Sequence, residues 1–277
     1  MSSTENWAPV EGNVEDIVGH FPCPFDALQS RVIPAVIVRQ AFNPKHCIQL
    51  VERFSERNLI YNPRKTGDGT PHRVDIGTSL GKHATDPDKF FAHSEKTHTL
   101  FQSLFNGFDN PVQTIYDILS QMLPNKRVMT AQEADGRRYG PAIFRTYYEG
   151  LGHNPHYDSV SKRSKRYTYT VSRFQHQFAG VLCFQNSDDN GENGEGIIYR
   201  TPWTPDLQVH ITQGTFQQYV AKNGIERVKV HLNPGDLYFF YSENLHEVPS
   251  VVGKIPRLVL ATFIGMSPND NEVFLWS

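Results

Sequence analysis

From residue 141 onward the sequence breaks into short β-like runs, at 142–149, 166–172, 178–185, 196–200, 208–212, 226–232, 236–241 and 257–265. Aromatic and β-branched residues fill the runs, and Asn, Asp, Gly and Pro separate them. Strands this short and this numerous bury their apolar faces by folding back on one another, as a barrel or a two-sheeted jelly roll.

Upstream the period changes. Asn43-Pro44 supplies a cap and a first-turn proline, and Cys47, Leu50, Val51 and Phe54 follow at helical spacing, which predicts a helix over 43–58. A second helix is predicted from near Ser94, with Leu100, Phe101, Leu104, Phe105 and Phe108 on one face. Asn110-Pro111 opens a third, carrying Val112, Ile115, Tyr116, Leu119 and Met122 until Pro124 stops it. The Val- and Ile-rich run from Arg31 to Arg39 reads as a strand, and residues 1–30, with Pro9, Gly12, Gly19, Pro22 and Pro24, read as an irregular arm. The expectation is one domain over 1–277, mainly β with α: arm at 1–30, helical support region at 31–140, jelly-roll core at 141–277.

Lys and Arg number 27 against 29 Asp and Glu, so no global field attracts nucleic acid or an acidic membrane. No apolar run approaches the roughly eighteen residues of a membrane span, and the polar start from Met1 to Trp7 lacks the features of a signal peptide. A cytoplasmic protein with a small-molecule partner is expected, with no nucleic acid and no membrane; oligomeric state leaves no signature. Cys23, Cys47 and Cys183 form no paired motif, so neither disulfides nor a thiolate zinc site is expected.

The chemistry concentrates in His156-Tyr157-Asp158, then His246, then Arg257. On an extended chain His-x-Asp turns both side chains to one side, so both reach a single ion. Two imidazoles and a carboxylate on one face of a metal leave the opposite face open for oxygen chemistry. Pro234-Gly235-Asp236 feeds the strand Leu237 to Phe240, which would deliver His246 at its far end. Arg257 opens the next run, where a hairpin would set it beside the metal, and a guanidinium inside a barrel needs an anionic partner.

Other residues carry weaker signals. His153 reads as a solvated-loop residue, His210 and His231 as strand-face residues, and His72, His83, His93 and His98 as surface or helix-end residues. Lys162, Arg163, Lys165, Arg166 and Arg173 form either a solvated loop or a lid that recognises a carboxylate, Arg163 and Arg166 first; Arg145 and Arg200 are further candidates. The acidic stretch from Asn186 to Glu195 reads as an exposed turn and matches no calcium loop.

In the order HxD, His, Arg on a C-terminal jelly roll, the sequence resembles the 2-oxoglutarate/iron(II) dioxygenases. The likeness is sharpest over Phe144 to Asp158 and Asn233 to Phe263. Within them it looks most like the small-molecule group of N-succinyl amino acid β-hydroxylases and related carbon halogenases. The resemblance implies a double-stranded β-helix, cupin-like, with N-terminal helices packed on it. It implies iron(II) on His156, Asp158 and His246, 2-oxoglutarate on Arg257, and O2 as oxidant; Tyr147 and Tyr148 alternate on one strand, so only one, taken as Tyr147, faces the interior and offers its hydroxyl to the co-substrate. It also implies that a segment like Gly77 to Gly81, with Ser79, borders the substrate. Halogenases of this group carry a small residue at the carboxylate position, which makes room for chloride; Asp158 therefore implies hydroxylation, desaturation or oxidative cyclisation, as in kainoid-type synthases. The substrate implied is a small anionic, amino-acid-like metabolite of a secondary pathway. A protein or nucleic-acid demethylase or hydroxylase and a non-catalytic cupin-like binding module are the alternatives.

Overall fold

The computed structural model describes residues 7–62, 72–187 and 195–277. Strands run in chain order as β1 (Val10–Gly12), β2 (Val36–Val38), β3 (Val74–Ile76), β4 (Arg127–Thr130), β5 (Ile143–Tyr147), β6 (His153–His156), β7 (His176–Gln185), β8 (Gly196–Pro202), β9 (Arg227–Val230), β10 (Leu237–Tyr241), β11 (Asn244–Val248), β12 (Arg257–Met266) and β13 (Glu272–Trp276). The large sheet has the order β1-β2-β10-β7-β12-β13-β4, with β5 pairing to both β12 and β3. The small sheet is β6-β11-β8-β9. This is the jelly roll expected, with helices packed on its larger sheet.

Period-two alternation divides the large sheet into two faces. Phe144, Phe178, Leu182, Phe184, Leu237, Phe239, Leu258 and Leu260 join one core cluster with Leu50, Phe54, Phe101, Leu104 and Leu119 of the helices. Ile143, Ala179, Val181, Tyr238, Phe240, Val259 and Ala261, one position out of phase, form the opposite cluster, which reaches Ile198 of the small sheet. Phe144 anchors the first face, within ring-contact distance of Phe54, Phe101 and Phe184 (4.7, 5.6 and 5.1 Å between centroids).

Helix Pro44–Glu56 begins on the Asn43 cap, whose side chain accepts from the Lys45 N–H. Helix Pro111–Met122 begins the same way on Asn110. The second helix starts earlier than the apolar stripe suggested, at Pro87, because Asp86 caps it on Lys89. No helix among the described residues is long and apolar enough to cross a membrane.

Several expectations are corrected. Of the arm at 1–30, residues 1–6 lie outside the described residues, and the rest is not irregular: it holds β1 and helices Val14–His20 and Pro24–Gln29, the first capped by Asn13. The sheet is not confined to 141–277, since β2, β3 and β4 join it. Residues 208–212 are the end of helix Pro205–Thr212, where the Thr204 cap on Leu207 and a first-turn proline outweigh the β-branched content. Residues 166–172 form turns and part of a 3-10 turn, Thr170–Arg173. Of the stretch 186–195, residues 188–194 lie outside the described residues; at its ends Ser187 and Glu195 are buried rather than exposed, and Glu195 pairs with Lys229 and His231.

Candidate metal centre

Antiparallel pairing of β6 with β11 sets His156 directly opposite His246, with ring centroids 4.2 Å apart. Each imidazole is oriented by the carbonyl two residues before it: His156 Nδ1 donates to Asn154 O at 2.7 Å, and His246 Nδ1 to Asn244 O at 2.9 Å. That fixes the proton on Nδ1 and leaves each Nε2 lone pair free, the tautomer a metal needs. Both Nε2 atoms lie 3.5 Å from Asp158 Oδ2. Ligand atoms of the three residues fall within 4.8 Å of one another, a set of two neutral nitrogens and one anionic oxygen that suits a divalent transition metal.

Asp158 sits two residues past the end of β6, held by backbone exchange with the β10–β11 turn. Its N–H donates to Ser242 O at 2.8 Å, and Ser242 Oγ donates to Asp158 O at 3.1 Å. Burial works against the charge of this carboxylate, but the two imidazoles beside it prevail and hold its pKa well below the usual carboxylate range. Burial, with His246 alongside, lowers the pKa of His156, so this ligand is neutral at physiological pH. Close approach of the chain at Gly152 sets the β6 entry: a Cβ there would lie 2.5 Å from Val248 O.

The triad opens on a cavity between the two sheets. Its walls include Ile143, Arg145 and Tyr147 of β5 and Arg257, Val259 and Ala261 of β12, all on the sheet face away from the helices. Arg257 is 4 % exposed and has no acidic or hydrogen-bonding partner among the described residues. Arg145 makes no hydrogen bond or close ion pair among the described residues and its buried Nε has no partner, although Asp75 of β3 stands opposite it in register. Arg73, by contrast, is paired with Asp75 at 2.6 Å and donates to the Tyr147 hydroxyl at 3.2 Å. Burial would raise the pKa of Tyr147, yet the guanidinium groups of Arg73, Arg145 and Arg257 outweigh it and lower it. A buried guanidinium without a partner favours a neighbouring anion.

The structure brings together His156, Asp158, His246, Arg257, Tyr147 and Arg145. It moves the others elsewhere. Arg257 is not on a hairpin partner of β11: it belongs to the opposite sheet, registered against Tyr147, and reaches the metal region across the cavity. Arg163 donates to Asp158 Oδ1 and Tyr157 O, outside the cavity wall. Arg166 donates to Gly81 O, and Arg200 is exposed and paired with Glu226 at 2.6 Å; neither lines the cavity. Ser79 is buried at the start of a short helix, Leu80–His83, and does not line it either. His210 is helical and bonds Thr215, while His231 follows β9, exposed. His153 is no solvated-loop residue. It lines the cavity with its ring 3.6 Å from that of His156, and burial, then the neighbouring His156, pushes its pKa down to about 2. Its position in β6, three residues from His156, went unread because β6 is short and holds Pro155. Arg73 was also missed; it directly precedes β3, a strand of three residues with no periodicity to read.

A family model described as carrier-protein-independent halogenase WelO5 matches residues 10–277. Among solved structures, the fold is similar to an N-substituted L-amino acid dioxygenase from Burkholderia ambifaria AMMD in complex with alpha-KG (TM-score 0.60, 14% identity, covering 92% of this chain and 91% of that one). The same enzyme's second structure superposes with a TM-score of 0.58, at 14% identity over 92% and 90% of the two chains. No curated protein matches the sequence.

Proposed function

The chain belongs to the family of the carrier-protein-independent halogenase WelO5 and is an iron(II)- and 2-oxoglutarate-dependent oxidoreductase; within that class we propose that it oxidises an unactivated C–H bond of a small, carboxylated, amino-acid-derived molecule. In this reading His156, Asp158 and His246 hold the iron, and Arg257 holds the distal carboxylate of 2-oxoglutarate. One observation carries it: a buried, unpaired Arg257 faces the same cavity as three converging metal donors.

When bound, iron(II) with 2-oxoglutarate and O2 supplies the oxidising power for C–H cleavage. The chain supplies the rest. The carbonyls of Asn154 and Asn244 orient both imidazoles, with each Nε2 aimed at one point. Arg257 offers a planar fork to a carboxylate at the far end of the cavity, and the Tyr147 hydroxyl stands beside it in the field of three guanidiniums. Val181, Val259, Ala261 and Phe240 line the middle and exclude water from the reacting carbon. Arg145, whose Nε has no hydrogen-bond partner, is placed to take the substrate carboxylate, which fits the N-substituted amino acids of the Burkholderia enzyme.

Asp158 decides between outcomes. A carboxylate at this position occupies the site where a halide would bind, so the reaction proposed is hydroxylation, desaturation or ring closure, not halogen transfer. The test is succinate release across a panel of N-substituted amino acids, with product mass separating a gain of one oxygen from a loss of two hydrogens. Halogenated product in chloride buffer would overturn the assignment of Asp158, and no succinate with any member of the panel would overturn the substrate class.

A further inference from the structure

We propose that Arg163 is a positioning residue that keeps Asp158 a one-oxygen ligand, leaving the rest of the metal's coordination sphere open. The inference rests on the metal reading above.

The two oxygens of Asp158 have different surroundings. Oδ2 faces both imidazoles, 3.5 Å from each Nε2, while Oδ1 accepts from Arg163 Nη1 at 3.0 Å. The same nitrogen donates to Tyr157 O at 2.7 Å, so one guanidinium grips both the backbone and the side chain of the His-x-Asp motif. An oxygen engaged by a fixed cationic donor is a poor second ligand, and the carboxylate plane is set by the pair.

Arg163 is itself held, although 44% of its side chain is exposed. Its backbone N–H donates to Ser159 O at 3.2 Å. The preceding Lys162 pairs with Glu243, which also accepts from Tyr241 Oη at 2.6 Å and from Ser159 Oγ at 3.3 Å. The guanidinium lies 5.8 Å from the Tyr157 ring centre, and that ring stacks on Trp203 at 5.1 Å. A surface pair of this kind adds little to folding, so its effect falls on ligand geometry.

The test is anaerobic titration of metal-free protein with cobalt(II), an oxygen-inert probe, followed by calorimetry and visible absorbance. Carboxylate stretching bands of the cobalt(II)-loaded protein report denticity, because the two bands draw together when both oxygens bind. Arg163→Met is expected to weaken cobalt(II) binding by about 10- to 100-fold and narrow that separation. Arg163→Lys, which still donates to Oδ1, restores part of both. Lys162→Met, which loosens the same turn without touching Asp158, leaves both unchanged. Wild-type affinity and band separation in Arg163→Met would overturn the proposal, as would an equal loss in Lys162→Met, which would assign the effect to turn order. His156→Ala keeps the two claims apart: if it too binds cobalt(II) normally, the metal reading itself fails.

Discussion

Arg257 and Tyr147 stand opposite one another on paired strands, the guanidinium carbon 5.6 Å from the ring centre, and Arg73 approaches the same ring at 5.4 Å. Arg73 has Asp75 to neutralise it, whereas Arg257 has no acid within reach among the described residues. Under the proposed function, a carboxylate ligand supplies the partner Arg257 lacks.

Arg257→Met should therefore separate binding from stability. The KM for 2-oxoglutarate should rise by about 100-fold or more, as expected for loss of a buried charge-assisted fork. The melting temperature of the ligand-free protein should hold or increase, since an unpaired buried cation has been removed. Steady-state kinetics and a thermal melt check both; a large fall in melting temperature would mean Arg257 has a structural partner.

Arg145→Met should raise the KM for the carboxylated substrate by about 10-fold or more while leaving the KM for 2-oxoglutarate within about twofold. The opposite pattern would assign both guanidiniums to the co-substrate.

Gly152→Ala tests how β6 is seated. The added methyl would press on Val248 O, and overpacking of this kind costs about 1–3 kcal/mol. Because β11 carries both Val248 and His246, metal affinity should fall together with stability. Calorimetric titration with cobalt(II) and a denaturant melt give the two numbers, and an unchanged affinity would uncouple the strand pair from the ligands.

Asp75 gives the acid response. Burial would raise its pKa, but hydrogen bonds from Arg73 and Lys82 and the charge of Arg73 lower it below its ordinary 3.8. A carboxylate depressed in the folded state contributes stability that is complete above its unfolded pKa and lost as pH falls through the folded one. Asp75→Asn should cost about 2–3 kcal/mol near pH 7, less than a fully buried pair because Lys82 is half exposed. The gap between the two melting curves should close below about pH 4. A gap that persists unchanged at pH 3 would show that charge is not what Asp75 supplies.

The jelly roll was legible because its central strands β7 and β12 are ten-residue, nearly continuous apolar runs, and the two Asn-Pro starts announce their helices. His156, Asp158 and His246 were legible from spacing and order. β1, β3, β4, β6, β11 and β13, of three to five residues each, were not read, and are fixed by their neighbours in the sheet. Helix Pro205–Thr212 was misread because local β-branched content carries less information than its cap. The basic run after the metal motif was misjudged for another reason. Arg163 and Arg166 are cationic in any fold, and only the turn beginning at Ser159 determines that one meets Asp158 and the other Gly81. Arg145 was drawn into the cavity by strand parity with Tyr147, a relation sequence does contain.

The most direct test of the central claim is visible absorbance after anaerobic addition of iron(II) and 2-oxoglutarate to the metal-free protein. Three donors and one facing guanidinium predict a weak charge-transfer band that requires both additions, disappears in His156→Ala, and needs about 100-fold more 2-oxoglutarate in Arg257→Met. No band at saturating concentrations of both, or an undiminished one in His156→Ala, would contradict the account.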